Sequence, residues 1–385
     1  MYISRVKLKN WRNFQDIDVE LSKNRVFIVG PNASGKSNFL DVFKFLRDIS
    51  KQGGGLQAAI NERGGLSKIR CLFARKKNEV EIEIHLSESE DKAPIWKYSL
   101  SLLLEQRGIF MPYIKHEKVW DKDDKIILDR PEKRDKDDKE LLYQTHLEQP
   151  IINQKFREIA KFFQSVQYLH LVPQLIRYPK AFTGAGITGD PYGQSFMNQL
   201  SKEKKNIRGS RLRKIEKALS SVVPHLKDLK YDVDETGTPH LETAYENWRP
   251  RGAKQREDQF SDGTLRLIGL FWSLLETDPV LLLEEPELSL NAEIVRKLPA
   301  IMSKIQRERK KQVILSTHSL ELLQDRGIGG EEVLVLSPKD EGTNITQLSG
   351  DIDIRRLLIT GMSVGDIIQP KIRPPKLENL HIAFG

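Results

Sequence analysis

The sequence has a single cysteine and no long hydrophobic run, and each absence excludes a class of protein. Because Cys71 is alone among 385 residues, neither an internal disulfide nor a cluster of cysteine metal ligands can form. The longest apolar runs, such as residues 280–283, are far too short to cross a bilayer. The chain enters a strand pattern at Tyr2 without a basic and then apolar leader. We therefore expect a cytoplasmic protein with no membrane partner.

The composition is that of a polar-surfaced globular protein with an excess of basic residues. Hydrophobic residues make up 38% and charged residues 30% of the chain, and 62 Lys and Arg against 54 Asp and Glu give a net charge of +8. Residues 202–217, here called the basic segment, contain eight basic and two acidic residues. This segment could contact nucleic acid, or it could be an ordinary solvated helix face, since no aromatic residues interleave to stack on bases.

One motif organises the rest of the chain. Residues 30–37 fit the pattern G-x-x-x-x-G-K-[ST], follow an apolar strand pattern and lead into a helical one. Glycines let the backbone wrap closely around phosphates, Lys36 would reach the β- and γ-phosphates, and the Ser37 hydroxyl would ligate Mg²⁺. We therefore predict that the chain binds ATP with Mg²⁺. The predicted contacts are Gly30, Pro31, Asn32, Ala33, Ser34, Gly35, Lys36, Ser37 and Asn38.

Three further motifs lie C-terminal to this loop. Glu284 and Glu285 end an apolar strand, where the first could hold Mg²⁺ and the second could activate the attacking water; an acidic cap on a turn is the alternative. His318 ends another apolar strand and could contact the γ-phosphate, although a lone histidine there is often structural. Ser261 and Gly263 open an apolar helix, where they could bind an anion or Ser261 could be a plain N-cap.

The pattern of apolar residues predicts an α/β architecture. Alternating residues at 2–10 and 16–21 predict a strand pair, and later segments predict an antiparallel meander at 69–73, 80–86, 96–104, 113–120 and 126–128. Residues 129–140 and 173–198 read as loops. Apolar strands that alternate with helices predict a parallel sheet at 280–283, 313–316 and 333–336.

Between these regions, a helix over 211–223 is predicted to bury one face, and the following segments predict a hairpin at 229–233 and 241–245. The residues expected on the buried helix face are Leu212, Ile215, Leu219 and Val222. The tail after Gly361, which contains Pro370, Pro374 and Pro375, is expected to be an extended strap.

Together, these residues resemble the ATP-binding-cassette class of ATPases, in the branch that includes RecF, SMC heads and the ATPase part of OLD-type nucleases. The matching residues are the loop 30–37, Ser261-Asp-Gly-Thr264, Leu283-Glu-Glu-Pro-Glu287, Leu288-Ser-Leu-Asn291, His318, and Leu8-Lys-Asn-Trp-Arg-Asn-Phe14.

The resemblance implies how the site works. In this family the signature Ser261 and Gly263 of one copy would contact ATP held by another, so it implies a homodimer or a higher oligomer. It also implies that Arg12 and Asn13 lie near the nucleotide and that Gln174 is the Q-loop ligand of Mg²⁺.

The chain also departs from the family pattern. Glu284 replaces the usual Asp, and Asn291 replaces a common histidine. The interval between Gln174 and Ser261 is too short for long coiled-coil arms, and no room is expected for a TOPRIM nuclease domain. Any nuclease or toxin partner would therefore be a separate polypeptide.

We predict an α/β ABC-type ATPase head with a mixed sheet, an antiparallel β subdomain and a small helical and hairpin insertion, divided as 1–175, 176–254 and 255–385. The predicted function is an ATPase that acts on DNA in repair or anti-phage defence and controls a separate effector. The alternative is the energy subunit of a membrane transporter, against which Ser-Asp-Gly-Thr in place of Leu-Ser-Gly-Gly-Gln argues. A metabolic phosphate-loop kinase would have no use for the signature and Thr-His-Ser motifs.

Overall fold

The computed structural model describes residues 1–74, 78–105, 111–178, 192–193, 196–246 and 253–372. These residues form both strands and helices. The strands are β1 (Tyr2–Trp11), β2 (Phe14–Glu20), β3 (Arg25–Val29), β4 (Val80–Ser87), β5 (Trp96–Leu104), β6 (Pro112–Asp121), β7 (Ile126–Arg130), β8 (Gln167–Leu169), β9 (Leu226–Val233), β10 (Pro239–Tyr245), β11 (Ala253–Arg256), β12 (Val280–Glu284), β13 (Gln312–Thr317), β14 (Val333–Lys339) and β15 (Gly342–Gln347). The helices are α1 (Lys36–Ser50), α2 (Leu56–Asn61), α3 (Leu66–Ile69), α4 (Lys133–Asp137), α5 (Arg157–Gln164), α6 (Pro173–Arg177), α7 (Phe196–Lys202), α8 (Lys205–Leu219), α9 (Asp262–Leu275), α10 (Ala292–Arg309), α11 (Ile352–Ile359) and α12 (Val364–Ile372).

These elements form two compact units that cut across the three predicted segments of the chain. The first unit comprises Met1–Gln167, Asp278–Leu282 and the chain from Lys310 onward, and the second comprises Tyr168–Thr277 and Leu283–Arg309. Both ends of the chain thus belong to the first unit, and the second is inserted between them. The division at 175 and 254 stays a prediction.

The first sheet is antiparallel, in the order β2-β1-β4-β5-β6-β7. Val6 and Leu8 of β1 are buried while Lys7 and Lys9 are more exposed, which is the alternation of a half-exposed strand. Four of the five predicted meander strands form, but the strand expected at 69–73 does not. Leu66 and Ile69 are instead buried one helical turn apart on α3. A short apolar run in the sequence does not by itself distinguish a helix from a strand.

The second sheet carries the predicted parallel strands, in the order β15-β14-β3-β13-β12-β8. Its strand β3 lies between β13 and β14 and is parallel to both. All five β3 residues are buried, as expected of a strand covered on both faces. The β3 carboxyl end therefore lies at the edge of the sheet where α/β proteins bind ligands.

The second unit contains the predicted hairpin and the long apolar helix. Strands β9 and β10 pair antiparallel, with β11 on the other side of β10. Leu212, Ile215 and Leu219 are buried on one face of α8, but Val222 is 40% exposed. The helix ends at Leu219, before two serines and Pro224, so Val222 lies outside its periodic face.

Two stretches expected to be loops or extended are partly helical. Within 173–198, α6 and α7 form at the ends, while residues 179–191 lie outside the described residues. The expected strap begins instead as α12, with Pro370 near its end; Pro374 and Pro375 lie outside the described residues. Among the residues described, none of the helices combines the length and the apolar character that a membrane crossing requires.

The segment 129–140, expected as a surface loop, is built around a buried cation. The Arg130 side chain is fully buried and its guanidinium pairs with Glu117 at 2.9 Å and with Asp135 at 2.7 Å. It also donates to the carbonyls of Leu141 and Gln144. Burial raises the pKa of Glu117, which Arg130 opposes. A charge-rich sequence can therefore be ordered when one of its charges is internal.

Replacing Arg130 with Met should destabilise the first unit by roughly 3–5 kcal/mol, because Glu117 and Asp135 would lose the cation that compensates their burial. Lys118→Met is the matched control. It breaks the half-exposed Lys118–Asp129 pair of the same sheet and should change stability by at most about 1 kcal/mol. Urea unfolding would measure both variants. Equal effects would contradict the assigned role of Arg130.

Candidate nucleotide-binding site

The phosphate loop connects the buried strand β3 to α1. Gly35 adopts a φ of +96°, a backbone conformation that favours glycine, and a Cβ there would lie 2.1 Å from the Asn13 side chain. A Cβ on Gly30 would lie 2.7 Å from the Leu336 carbonyl oxygen. The first turn of α1 contains no acidic residue, so its positive dipole end is not neutralised by a carboxylate of its own. This is the geometry of an anion cradle.

Lys36 lies inside this loop rather than in solvent. The residue is only 6% exposed, and its ammonium donates to the carbonyls of Gly30 at 3.0 Å and Pro31 at 3.1 Å. His318, at the end of β13, has its Nδ1 3.4 Å from the Lys36 Nζ. The structure thus brings together two residues separated by 282 positions, as the sequence analysis expected of a γ-phosphate site.

Asn13, in the β1–β2 turn, fixes the loop from the side. Its amide donates to the Ser34 carbonyl at 2.9 Å and to Thr343 at 2.8 Å, and its carbonyl accepts from Asn38 at 2.8 Å. The resemblance placed Asn13 near the nucleotide, but it did not indicate this supporting contact. An asparagine in a tight turn is the only local signal for it.

Arg12 lies beside α1. Its guanidinium pairs with Asp41 at 3.0 Å and donates to the Lys68 carbonyl at 3.3 Å. Its proposed contact with the nucleotide stays a prediction, since in this conformation the side chain supports the helix that follows the loop.

The acidic motif belongs to the end of β12. Glu284 accepts a hydrogen bond from the Tyr168 hydroxyl, a partner that the sequence analysis did not find. Glu285 adopts a φ of +45°, which is unusual for a residue with a side chain and typical of strained functional turns. Pro286 follows directly, so the chain turns sharply after the two carboxylates.

The signature motif begins α9. Ser261 is the N-cap, and its hydroxyl accepts from the Thr264 backbone at 3.1 Å and contacts the Thr264 hydroxyl at 2.8 Å. Gly263 approaches the turn after the acidic motif, because a Cβ on it would lie 3.0 Å from the Ser289 carbonyl. The side chain of Gln174 donates to Asp262 of this motif at 2.9 Å. Gln174 as a Mg²⁺ ligand therefore stays a prediction, with its amide held by the signature in this conformation.

The loop and these oxygen donors fit a nucleotide with Mg²⁺. The Ser34 Oγ is buried without a hydrogen-bond partner beside Gly30, inside the phosphate cradle. In the part of the chain that the structure describes, no cluster of three or more His, Cys, Asp or Glu side chains could hold a metal. Mg²⁺ usually takes one or two protein oxygens together with phosphates and waters. Ser37 and Glu284 offer oxygens of the required kind.

Two family profiles match the chain. The chain matches the family profile described as "AAA domain, putative AbiEii toxin, Type IV TA system" over residues 25–324. It also matches the profile described as "P-loop containing region of AAA domain" over residues 3–46.

Curated relatives and solved structures point in the same direction. The chain is 27% identical over 191 residues to the DNA replication and repair protein RecF of Clostridium kluyveri, covering 49% of this chain and 45% of that protein. It is 31% identical over 90 residues to RecF of Synechocystis sp., covering 23% of each. The chain thus spans less than half the length of these relatives. An SMC head bound to the C-winged helix domain of ScpA superposes with a TM-score of 0.54 at 15% identity, over 90% of this chain and 98% of that one, which shows a shared fold.

The matches and the fold define the class: this chain carries a P-loop AAA domain, is similar to RecF over part of its length and shares its fold with an SMC head. Within that class the chain belongs to the AAA-domain family whose description names AbiEii and type IV toxin–antitoxin systems.

Replacing Gly35 with Ala should abolish ATP binding, because the added Cβ would meet the Asn13 side chain and displace the loop. Gly53→Ala is the matched control. Gly53 also has a positive φ, of +73°, but has no atom within 4 Å of the added Cβ. Both variants carry similar backbone strain, so only the first should lose binding of a fluorescent ATP analogue. Equal losses would contradict the cradle.

Proposed function

We propose that two copies of this chain close around two ATP molecules and that ATP hydrolysis reopens them. The observation that supports this proposal is that the chain has two arrangements suited to a phosphate. One is the loop 30–37 with His318, built on the first unit. The other is the α9 N-terminus with Ser261 and Gly263, built on the second. In each composite site, the second arrangement would come from the partner copy.

Each residue has a defined task in this scheme. The loop N–H groups and Lys36 bind the phosphates, and the Lys36 ammonium exchanges the carbonyls of Gly30 and Pro31 for phosphate oxygens. His318, beside Lys36, contacts the γ-phosphate oxygens, where negative charge develops. Glu285 orients the attacking water and accepts its proton.

Magnesium would be held by Ser37 and Glu284, with Gln174 as a further ligand once it leaves Asp262. When bound, Mg²⁺ neutralises charge on the β- and γ-phosphates. The Tyr168 hydroxyl fixes the Glu284 carboxylate for this purpose.

Replacing Glu285 with Gln should preserve ATP binding, slow hydrolysis by roughly 10²–10⁴-fold and accumulate the ATP-bound dimer. The control Glu293→Gln changes an exposed carboxylate at the start of α10 that is paired with Arg296. It should leave the hydrolysis rate and the amount of ATP-bound dimer unchanged. Phosphate release and analytical ultracentrifugation would measure the two effects. Unchanged turnover in Glu285→Gln would remove its role as the base.

We further propose that the closed dimer acts on DNA in the cytoplasm, in repair or anti-phage defence, and controls a separately encoded effector. The relatives named as DNA replication and repair proteins support this, as does the basic segment. Two of its eight basic residues serve the fold: Arg208 stacks on Tyr231 at 3.8 Å, and buried Arg211 pairs with Glu203 at 2.8 Å.

The remaining basic side chains of the segment are exposed, and α8 presents three of them close together. Residues 213, 214 and 217 fall within one face of a helix with 3.6 residues per turn, opposite the buried Leu212 and Ile215. This stripe, rather than the whole segment, is the proposed DNA contact.

Changing both Lys214 and Lys217 to Glu should weaken DNA binding for all sequences alike and flatten the salt dependence, because each neutralised phosphate contributes about −0.9 to the log–log slope. Turnover without DNA should not change. The control Lys297→Glu with Lys304→Glu reverses the same charge on the exposed face of α10 in the same unit. Fluorescence anisotropy across salt concentrations would measure the slopes, and identical slopes for both double variants would contradict the stripe.

A further inference from the structure

Side chains of α6 form hydrogen bonds with the residues on both sides of Ser261 in the signature motif. The Arg177 guanidinium donates to the Phe260 carbonyl at 2.6 Å and to Asp262 Oδ1 at 2.7 Å. Gln174, one turn earlier on α6, donates to Asp262 Oδ2 at 2.9 Å. Both oxygens of the Asp262 carboxylate and the carbonyl preceding Ser261 are therefore held by one short helix.

This helix is itself fixed against α9. Ile176 on α6 is 1% exposed, and the buried Leu171 just before α6 packs on Gly269. A Cβ on Gly269 would lie 1.9 Å from Leu171 Cδ1, so the two segments approach as closely as a glycine allows. Arg177 consequently lies at the end of a helix that is packed against the protein interior.

The same carboxylate has a second cation on its own helix. Arg266 lies four residues after Asp262, a spacing at which side chains on a helix meet. Arg266 is only 8% exposed, and its Nε is buried without a hydrogen-bond partner. Burial lowers the pKa of Arg266, while the charges of Asp262, Glu287 and Glu285 oppose that effect. Asp262 is thus placed between two arginines and in this structure bonds to Arg177.

We propose that Arg177 is a positioning residue for the signature motif: it holds Phe260 and Asp262 so that Ser261 and Gly263 face the partner copy's ATP. Arg177 touches no nucleotide. Without it, Asp262 turns toward Arg266, and the Ser261 hydroxyl and the first N–H groups of α9 lose their alignment. This inference rests on the proposed ATP-closed dimer and adds Arg177, a residue outside the motifs named from the sequence.

The test compares Arg177→Ala and Arg177→Lys in the Glu285→Gln background, which separates closure from hydrolysis. Arg177→Ala should weaken ATP-driven dimerisation by roughly 10- to 100-fold, the loss expected for a hydrogen bond to a charged group. ATP binding at concentrations where the protein is monomeric should not change. Arg177→Lys should recover part of the loss, because one nitrogen, Nη2, makes both contacts and an ammonium can supply such a donor, but on a side chain of different length and shape. With Glu285 intact, Arg177→Ala should lower kcat more than it changes KM.

Two controls distinguish positioning from general stabilisation. Arg296→Ala removes an exposed ion pair from the same unit and should leave dimerisation unchanged. Asp262→Ala should weaken dimerisation, and the Arg177→Ala and Asp262→Ala effects should add only in part, because both substitutions break the shared Arg177–Asp262 interaction. If Arg177→Ala does not fold, ATP-driven dimerisation of Asp262→Ala and of Arg177→Lys is compared with that of the Glu285→Gln parent instead.

Full dimerisation by Arg177→Ala, or fully additive effects with Asp262→Ala, would overturn this inference alone. A Glu285→Gln parent that forms no dimer with ATP would overturn the proposed function, and this inference with it.

Discussion

The site depends on the hydrogen bonds between the buried Lys36 ammonium and the carbonyls of its own loop. A cation with 6% exposure would be costly to bury without partners, and the loop supplies them in the carbonyls of Gly30 and Pro31. Because these carbonyls are uncharged, they satisfy the ammonium without neutralising it. A phosphate chain can therefore take their place and gain a charge-assisted bond. The buried strand β3, the left-handed Gly35 and the Asn13 amide all serve to keep this loop in shape.

The second unit is arranged differently. Its contacts hold the N-terminus of α9 in place, whereas those of the phosphate loop enclose a cation. Asp262 lies in the first turn of α9, where its negative charge is favoured, but its carboxylate is bound by Gln174 and Arg177. Both oxygens of Asp262 thus accept hydrogen bonds from α6. The strained turn at Glu285 and the close approach of Gly263 to Ser289 link this terminus to the acidic motif within the same unit.

Sequence reasoning named the parts of the candidate site whose signal is local in the chain. The strand–loop–helix around Lys36, the acidic end of β12 and the serine that begins α9 each carry their signal within about fifteen residues. The missed features join residues far apart: Gln174 and Asp262 are separated by 88 positions, and Tyr168 and Glu284 by 116. No periodicity records such pairs. The buried role of Arg130 was also missed. A charge-rich stretch is predicted to be solvated unless a buried partner is known, and here that partner is Glu117.

The most direct test of the account is complementation between two inactive variants. Lys36→Ala should not bind ATP, and Ser261→Arg should bind ATP but block the partner's site. If each composite site uses the loop of one copy and the signature of the other, a mixed dimer of the two variants contains one intact site. ATP turnover should therefore reappear on mixing. A mixture as inactive as its components, or full activity of Ser261→Arg alone, would contradict the claim that two copies build the site.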